Sequence, residues 1–348
     1  TAKGSEDSDS TETGSKWQAD DKTVVTVRTA SLFKLTTTAK PVSPAIGCCE
    51  AAIRGPHRSG FHGEFLYLQA LDVDVPYATP YDGIGVNAVP TGSTLFADPT
   101  NQPGFRAGLT TNIGDDSSLS ADFWFYQSQT SGSGLLDGGD GIFAALTVHP
   151  NTTSAATESL QARANYDLDF DVIDVHYRTT LLDDDLYAID LTIGARYARI
   201  DQDFRATYSI PGTTDVVADL GFDGVGPRLG LEFERQLQGR FQVFVRSSAS
   251  LLVGHVTGDY TQTNSFSELE ADAGLHDSRL VPVTELAIGL SWHSPSGHWH
   301  FSGGYYIGTY HNSLSAATFI EGVQADALHD LSDSMTFSGL MSGIEARW

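Results

Sequence analysis

From about residue 160 to the end, the chain repeats one pattern: apolar side chains at every second position, polar ones between them, interrupted by clusters of turn residues. Ile189, Leu191, Ile193, Ala195 and Tyr197 share one face, and Asp190, Thr192, Gly194 and Arg196 share the other. Val225, Leu229, Leu231 and Phe233 alternate in the same way with Gly226, Arg228, Gly230, Glu232 and Glu234. Further runs follow at Phe241–Arg246 and Glu285–Trp292, and the last is Leu340, Ser342, Ile344, Ala346 and Trp348 opposite Gly343, Glu345 and Arg347. A period of two predicts strands, and the chain reads as all-β.

Alternation alone fits a soluble sandwich or a large soluble barrel as well as a membrane barrel, and the connections separate these readings. Short links, such as Gly114–Ser117, Asp183–Asp185, Gln238–Arg240 and Ser294–Gly297, alternate with long ones at 72–103, 128–159, 260–279 and 313–333. The link at 209–220 is intermediate. Short turns at one end and long loops at the other predict a transmembrane, antiparallel, up-and-down β-barrel. Ten strands are expected, near 61–71, 104–113, 118–127, 160–182, 186–208, 221–237, 241–258, 281–293, 298–311 and 334–348. Twelve result if Ile142–His149 and part of 84–96 also pair. A spanning sheet has to close, because hydrocarbon offers its backbone no hydrogen-bond partners, and each crossing takes only about nine to eleven residues. The longer strands predict a wall that continues beyond the bilayer. Tyr67, Trp124, Tyr177, Tyr187, Tyr197, Trp292, Trp299 and Tyr305, near strand ends, suit interfacial girdles.

Charge refines the picture. The 348 residues carry 20 Lys and Arg against 44 Asp and Glu, a net charge of -24. This argues against a nucleic-acid partner, since affinity for phosphate backbones comes from clustered basic side chains. All five lysines lie in the first 40 residues. Residues 1–59 hold eight basic and seven acidic residues, leaving twelve basic and 37 acidic in 60–348. The chain therefore divides into an extension, 1–59, and a barrel, 60–348. Thr23–Thr38 is rich in β-branched residues suited to adding a strand to an exposed edge. Adjacent Cys48 and Cys49 bond to each other only with strain. A homo-oligomer joined through the extension is expected. Most acids of the barrel fall on the long-loop side and form an anionic rim that attracts cations.

Several segments carry a resemblance. GEFLYL at Gly63–Leu68, DFDVIDVHYR at Asp169–Arg178, GARYARIDQDF at Gly194–Phe204, GVGPRLGLEFERQL at Gly224–Leu237 and SASLLVGHV at Ser248–Val256 resemble the Legionella-type pore-forming outer-membrane proteins. The resemblance spans about 60–348. It implies a porin-like barrel in a bacterial outer membrane, bedded in its lipids, passing small polar solutes passively rather than acting as an enzyme. A structural surface protein that forms an ordered assembly with little conductance is the alternative. The terminal aromatic, Trp348, resembles the assembly signal of bacterial outer-membrane barrels.

Strand parity places a polar lining on the lumen: Arg106, Asp122, Asp174, His176, Arg178, Asp190, Arg196, Arg228, Glu232, Glu234, Arg246, Glu285, Glu345 and Arg347. Acids and arginines sharing a face are costly in lipid and natural around water. Asp167, Asp169 and Asp171 share the parity of Ile173 and fall on the outer wall above the apolar band, where oxygen ligands suit Ca2+ or Mg2+; a solvated acidic face is the plainer reading. His311-Asn312-Ser313, with Glu321, distantly resembles the His-x-Ser arrangement of outer-membrane lipid A deacylases, although Leu314 stands where those enzymes carry Asn. Gly-rich Ser131–Gly141 lacks the Lys of a phosphate loop and is expected to be a surface loop or a lumenal constriction.

Overall fold

The computed structural model describes residues 57–348 apart from 84–87, 136–140, 157–158, 185, 211 and 238. The expectations for the extension, its cysteines and its oligomeric role lie outside the described residues. Ten antiparallel strands close into a barrel. In chain order they are β1 (Gly60–Leu71), β4 (Gln102–Gly114), β5 (Ser117–Leu135), β7 (Gln161–Asp183), β8 (Tyr187–Ile210), β9 (Gly212–Gln236), β10 (Phe241–Asn264), β11 (Glu268–His293), β12 (Trp299–Ser313) and β13 (Asp333–Arg347). Pairing of β1 with both β13 and β4 closes the ring. β2 (Val75–Tyr81), β3 (Leu95–Ala97) and β6 (Ile142–Ala145) form a separate three-stranded sheet. The two segments that could have raised the count to twelve supply only β6 and, at the end of 84–96, β3, and both stay out of the wall, beside β2, which the sequence reading did not foresee.

The wall is uneven. β7 to β11 run 23 to 26 residues, whereas β1, β4, β12 and β13 run 12 to 15. At ~3.3 Å per residue and a tilt near 40°, β11 spans roughly 60 Å of wall against an apolar band of about 25 Å. The segments 209–220 and 260–279 are therefore not loops: they continue the strands as hairpins, with Val216, Ala218, Leu220, Tyr260 and Leu275 facing inward and buried. Ser131–Leu135 likewise ends β5 rather than opening a loop.

On the outer face, one register row holds Phe123, Ile173, Tyr197, Val225, Val253 and Leu280, all exposed. The next row toward the long-loop end is Phe125, Asp171, Arg199, Asp223, His255 and Ser278. The upper edge of the apolar band falls between them. Ile193→Arg, exposed near the middle of that band, should destabilise the barrel by about 2–4 kcal/mol, whereas Thr257→Arg above its upper edge should cost about 0–1 kcal/mol. Urea unfolding in lipid vesicles measures the difference, and equal effects would misplace the band.

The elements inside come from connections between the short strands and from the β5–β7 link. Besides the small sheet, helix α1 (Ala316–Gln324) lies in the β12–β13 connection read from sequence as a loop. Ser315 caps it, its hydroxyl accepting from the Thr318 N–H, and Asp333 accepts from the hydroxyls of Ser315 and Thr318. Ala316, Phe319, Ile320 and Val323 are buried with Phe204, Ala218, Leu220 and Tyr260 in one apolar core. Buried polar groups tie the insertions to the wall. Gln202 Nε2 donates to the Leu314 carbonyl (2.7 Å), and Gln202 Oε1 accepts from Tyr166 (2.7 Å) and Ala316 N–H (3.1 Å). Tyr208 donates to the Tyr77 carbonyl (2.6 Å), and Gln324 donates to the carbonyls of Leu146 and Val148.

Candidate functional site: a charged vestibule

Inward positions change character along the barrel. Toward the short turns the inner face is charged; toward the long-strand end it is aromatic and aliphatic. The charged half encloses a cavity of about 450 Å³. Its lining includes His57, Arg58, Asp115, Asp116, Asp183 and Gly297 at the short-turn end, so the cavity opens there. Its roof is a cluster of buried rings. Trp124 meets Phe170 (4.7 Å between centroids) and Tyr306 (5.3 Å), and Phe170 meets Phe337 (4.5 Å) and Tyr310 (5.2 Å), mostly edge to face. Trp124 thus packs inside the barrel and is not a girdle residue, whereas Tyr67, Tyr177, Tyr197, Trp299 and Tyr305 do face outward.

Thirteen of the fourteen lumen residues read from parity border this cavity; Arg196 is buried behind them. They form linked ion pairs across strands. Arg196 donates to Asp174 through Nε and Nη2 (2.7 Å each) and to Glu285 (2.8 Å). Glu285 also accepts from Tyr306 (2.7 Å) and Ser248 (2.5 Å). A second chain runs from Arg106 to Glu64 (2.9 Å), from Glu64 to Arg246 (2.9 Å), from Arg246 to Glu232 (2.7 Å) and from Glu232 to Arg178 (3.1 Å). Arg106 lies 5.2 Å from the Trp124 ring and 5.6 Å from that of Tyr306, where the aromatic faces offset part of its desolvation. Asp122 sits between His62 (2.7 Å) and His176 (3.4 Å). Near the mouth, Glu345 pairs with Arg347 (2.6 Å) and His300 (3.2 Å), while His300 stacks on His293.

Glu64, His62 and Tyr306 belong to this network, yet sequence reasoning missed them. In β1 the inner positions after Glu64 are Leu66 and Leu68, so apolar residues on both faces hide the parity. The alternation of Glu64 with Phe65 and Tyr67 was the available signal. Gly108, between His62 and Asp122 in register, leaves the room their contact needs: a Cβ there would fall 2.1 Å from Asp122 Oδ1 and 2.4 Å from His62 Cε1.

Outside the lumen, Asp167, Asp169 and Asp171 face the outer wall, opposite Asp203, Asp201 and Arg199 of β8. Alternate residues of a strand lie about 7 Å apart, too far for one ion to reach all three. Among the described residues, no group of three or more His, Cys, Asp or Glu is placed to hold a metal ion. Nor do the deacylase-like residues meet. Ser313 is buried and donates to the Tyr310 carbonyl (3.2 Å), His311 is exposed beside Thr284, and Glu321 is exposed on α1. On the long-strand rim, partial burial aided by nearby Asp74 holds the Asp98 carboxyl above the usual carboxylate range. Trp348, exposed at the end of the β1–β13 seam, donates its backbone N–H to Ser59 (3.0 Å).

Solved barrels similar to the chain include the outer membrane protease OmpT from Escherichia coli, at 13% identity and a TM-score of 0.47, covering 84% of this chain and 97% of that one. A Pseudomonas aeruginosa FadL homologue matches at 7% identity and a TM-score of 0.26, covering 84% and 90%. An anion-selective porin from Comamonas acidovorans matches at 11% and 0.19, covering 83% and 100%. No curated protein matches the sequence. Residues 57–346 match the family described as Legionella pneumophila major outer membrane protein precursor. With a closed ten-stranded barrel, an apolar outer band and a match over nearly the whole described chain, the protein belongs to the Legionella major outer membrane protein family and resides in the bacterial outer membrane.

Proposed function

We propose that the protein is a non-enzymatic, gated channel for small polar solutes and ions, held closed here by the elements packed inside its barrel. The observation that carries this reading is the two-part interior: a charged cavity of about 450 Å³ open at the short-turn end, beneath a roof of packed rings. Linked ion pairs around water set a transverse field that favours polar solutes over apolar ones. A barrel only slightly wider than eight strands leaves a narrow passage at most, so whether it conducts depends on what fills it. The acids of the long-strand rim, among them Asp203, Asp215, Asp223 and Asp259, concentrate cations at that end and bias the channel toward them.

The second reading, a structural barrel of the cell surface, is favoured by the continuity of the apolar core from Trp124 to α1. Planar bilayers under a KCl gradient separate the two. The channel reading expects rare, brief steps with a reversal potential displaced toward that of K+. Displacement toward Cl- would remove the cation bias. Silence, maintained when the interior elements are dislodged, would leave the structural reading.

A further inference from the structure

One register row of the vestibule alternates imidazoles with carboxylates. His293 of β11 stands opposite His300 of β12, His300 opposite Glu345 of β13, and Glu345 opposite His62 of β1. The row continues through Gly108 of β4 to Asp122 of β5. All of these except Gly108 border the cavity. Contacts join them in the same order. The rings of His293 and His300 stack at 4.3 Å, Glu345 Oε2 lies 3.2 Å from His300 Nδ1, and His62 Nε2 reaches over the bare glycine to Asp122 at 2.7 Å. Next-but-one strands are about 10 Å apart, so His62 and Asp122 touch because no side chain stands between them.

The neighbours of the row are mostly groups of fixed charge. His293 Nε2 pairs with Gln242 Oε1 of β10 (2.8 Å), and Arg347 of β13, which faces Glu234 of β9 across the lumen, lies 3.4 Å from His300 Nδ1. Glu64 follows His62 on the inner face of β1 and is held between Arg106 of β4 and Arg246 of β10. Beyond Asp122 stand His176 of β7 at 3.4 Å, then Arg178, paired with Glu232 of β9, and Asp174, bound to Arg196 of β8 and 3.6 Å from Arg228 of β9. His57, the remaining imidazole of the lining, lies at the mouth between the hydroxyls of Ser118 and Thr180. Carboxylates and guanidiniums keep their charge near neutrality, whereas imidazole is the side chain that changes charge between pH 5 and 8. Among the described residues the lining holds eleven carboxylates against six arginines, seven with Arg196 behind them, a surplus of four negative charges. Every proton the row takes up subtracts from that surplus.

We propose that this row is a pH-responsive belt that sets the ion preference of the vestibule: it attracts cations at neutral pH and loses much of that attraction when His62 and one ring of the His293–His300 stack are protonated. Those two protons halve the surplus. The geometry favours this partial charging. His62 and His300 each have a carboxylate in contact to receive the imidazolium, whereas two charged rings 4.3 Å apart repel, so the stack takes one proton and resists a second. The belt rests on the channel reading for its use, because ion preference matters where ions pass. It acts at the short-turn end, apart from the acids of the long-strand rim.

A cysteine in the vestibule reads its potential without any current. Ser302, two residues along β12 from His300, borders the cavity. Full-chain barrels carrying Ser302→Cys, with Cys48→Ser and Cys49→Ser, are refolded in detergent micelles and treated with a cationic and, separately, an anionic methanethiosulfonate. The ratio of the two rates follows the local potential, since the thiolate fraction that governs each rate cancels. From pH 8 to pH 5.5 the ratio of cationic to anionic rate should fall roughly tenfold or more. Adding His62→Gln or His300→Gln should reduce that fall to about threefold, and adding both should nearly abolish it. Either variant that folds by circular dichroism serves, and the parent barrel decides alone if its ratio does not move. A flat ratio, or one that falls as steeply in the folded variants, overturns the belt, as does a cysteine that neither reagent reaches, because the vestibule is then sealed. A barrel that shows the shift yet never conducts keeps the belt and discards the channel; a conducting barrel with a flat ratio does the reverse.

Discussion

Replacing Arg196 by Met should destabilise the barrel by roughly 3–5 kcal/mol, the usual consequence of removing one partner from a buried ion pair. Its side chain has no exposure, and it is the tight partner of two carboxylates on different strands, Asp174 of β7 and Glu285 of β11. Once it is gone, Arg228 is the nearest guanidinium to both, at 3.6 and 3.5 Å, and cannot serve both well. Urea unfolding of the barrel in lipid vesicles measures the loss. Adding Glu285→Gln to the Met variant should restore part of it, because the remaining cost is an uncompensated charge rather than lost packing. A Met variant as stable as wild type would mean that the network contributes specificity and little stability.

The second large effect concerns α1. Phe319 and Ile320 are buried on the face of the helix that meets the barrel. Phe319→Ala should cost about 3–5 kcal/mol of local packing. Phe319→Asp with Ile320→Asp goes further: two desolvated carboxylates are incompatible with the core, so the helix should leave the lumen. The wall should survive, since its ladders are backbone pairs that do not involve α1. Exposure of the β12–β13 connection to limited proteolysis reports the release, and bilayer recordings should then pass from rare steps to sustained conductance. A released helix with no gain in current would count against the channel.

The wall was legible in the sequence because the two environments it separates, lipid and lumen, demand opposite chemistry on alternate residues. Arg228, Glu232 and Glu234 between Val225, Leu229, Leu231 and Phe233 leave no other economical arrangement. Legibility failed where that contrast weakens. Between 209 and 220 and between 260 and 279 the outer face is mostly polar, with Asp215, Asp219, Thr261, Asp272 and Gly274, which read as loop, while the inner face is mostly apolar, through Val216, Ala218, Leu220, Tyr260 and Leu275. Above the bilayer the strands obey the rule of a soluble protein, apolar within and polar without, and the polarity of each face reverses along a single strand. In β7, outward Asp171 gives way to Ile173, and inward Val172 gives way to Asp174. Period-two reading is blind to such a reversal unless each half is weighed separately.

The interior elements were hidden for a different reason. Ala316–Gln324 is short and carries few charges, and a nine-residue helix is marginal without tertiary support. Its signal was local: a serine able to cap, followed by Ala-Ala-Thr-Phe-Ile. The vestibule was read from parity apart from Tyr306 of β12 and the β1 positions where leucines stand inside, which concealed His62 and Glu64, the carboxylate that joins Arg106 to Arg246.

The height of the wall has a consequence for how the cell surface is seen. Because β7 to β11 continue as paired strands well past the apolar band, what an approaching antibody or receptor meets on that side is a stiff, acidic palisade, not a fringe of mobile loops. Its surface is composite: Asp167, Asp203, Asp219 and Asp259 stand side by side on four strands although they are as many as 92 positions apart in the chain. Recognition of that face is recognition of a fold, and it vanishes when the strands part.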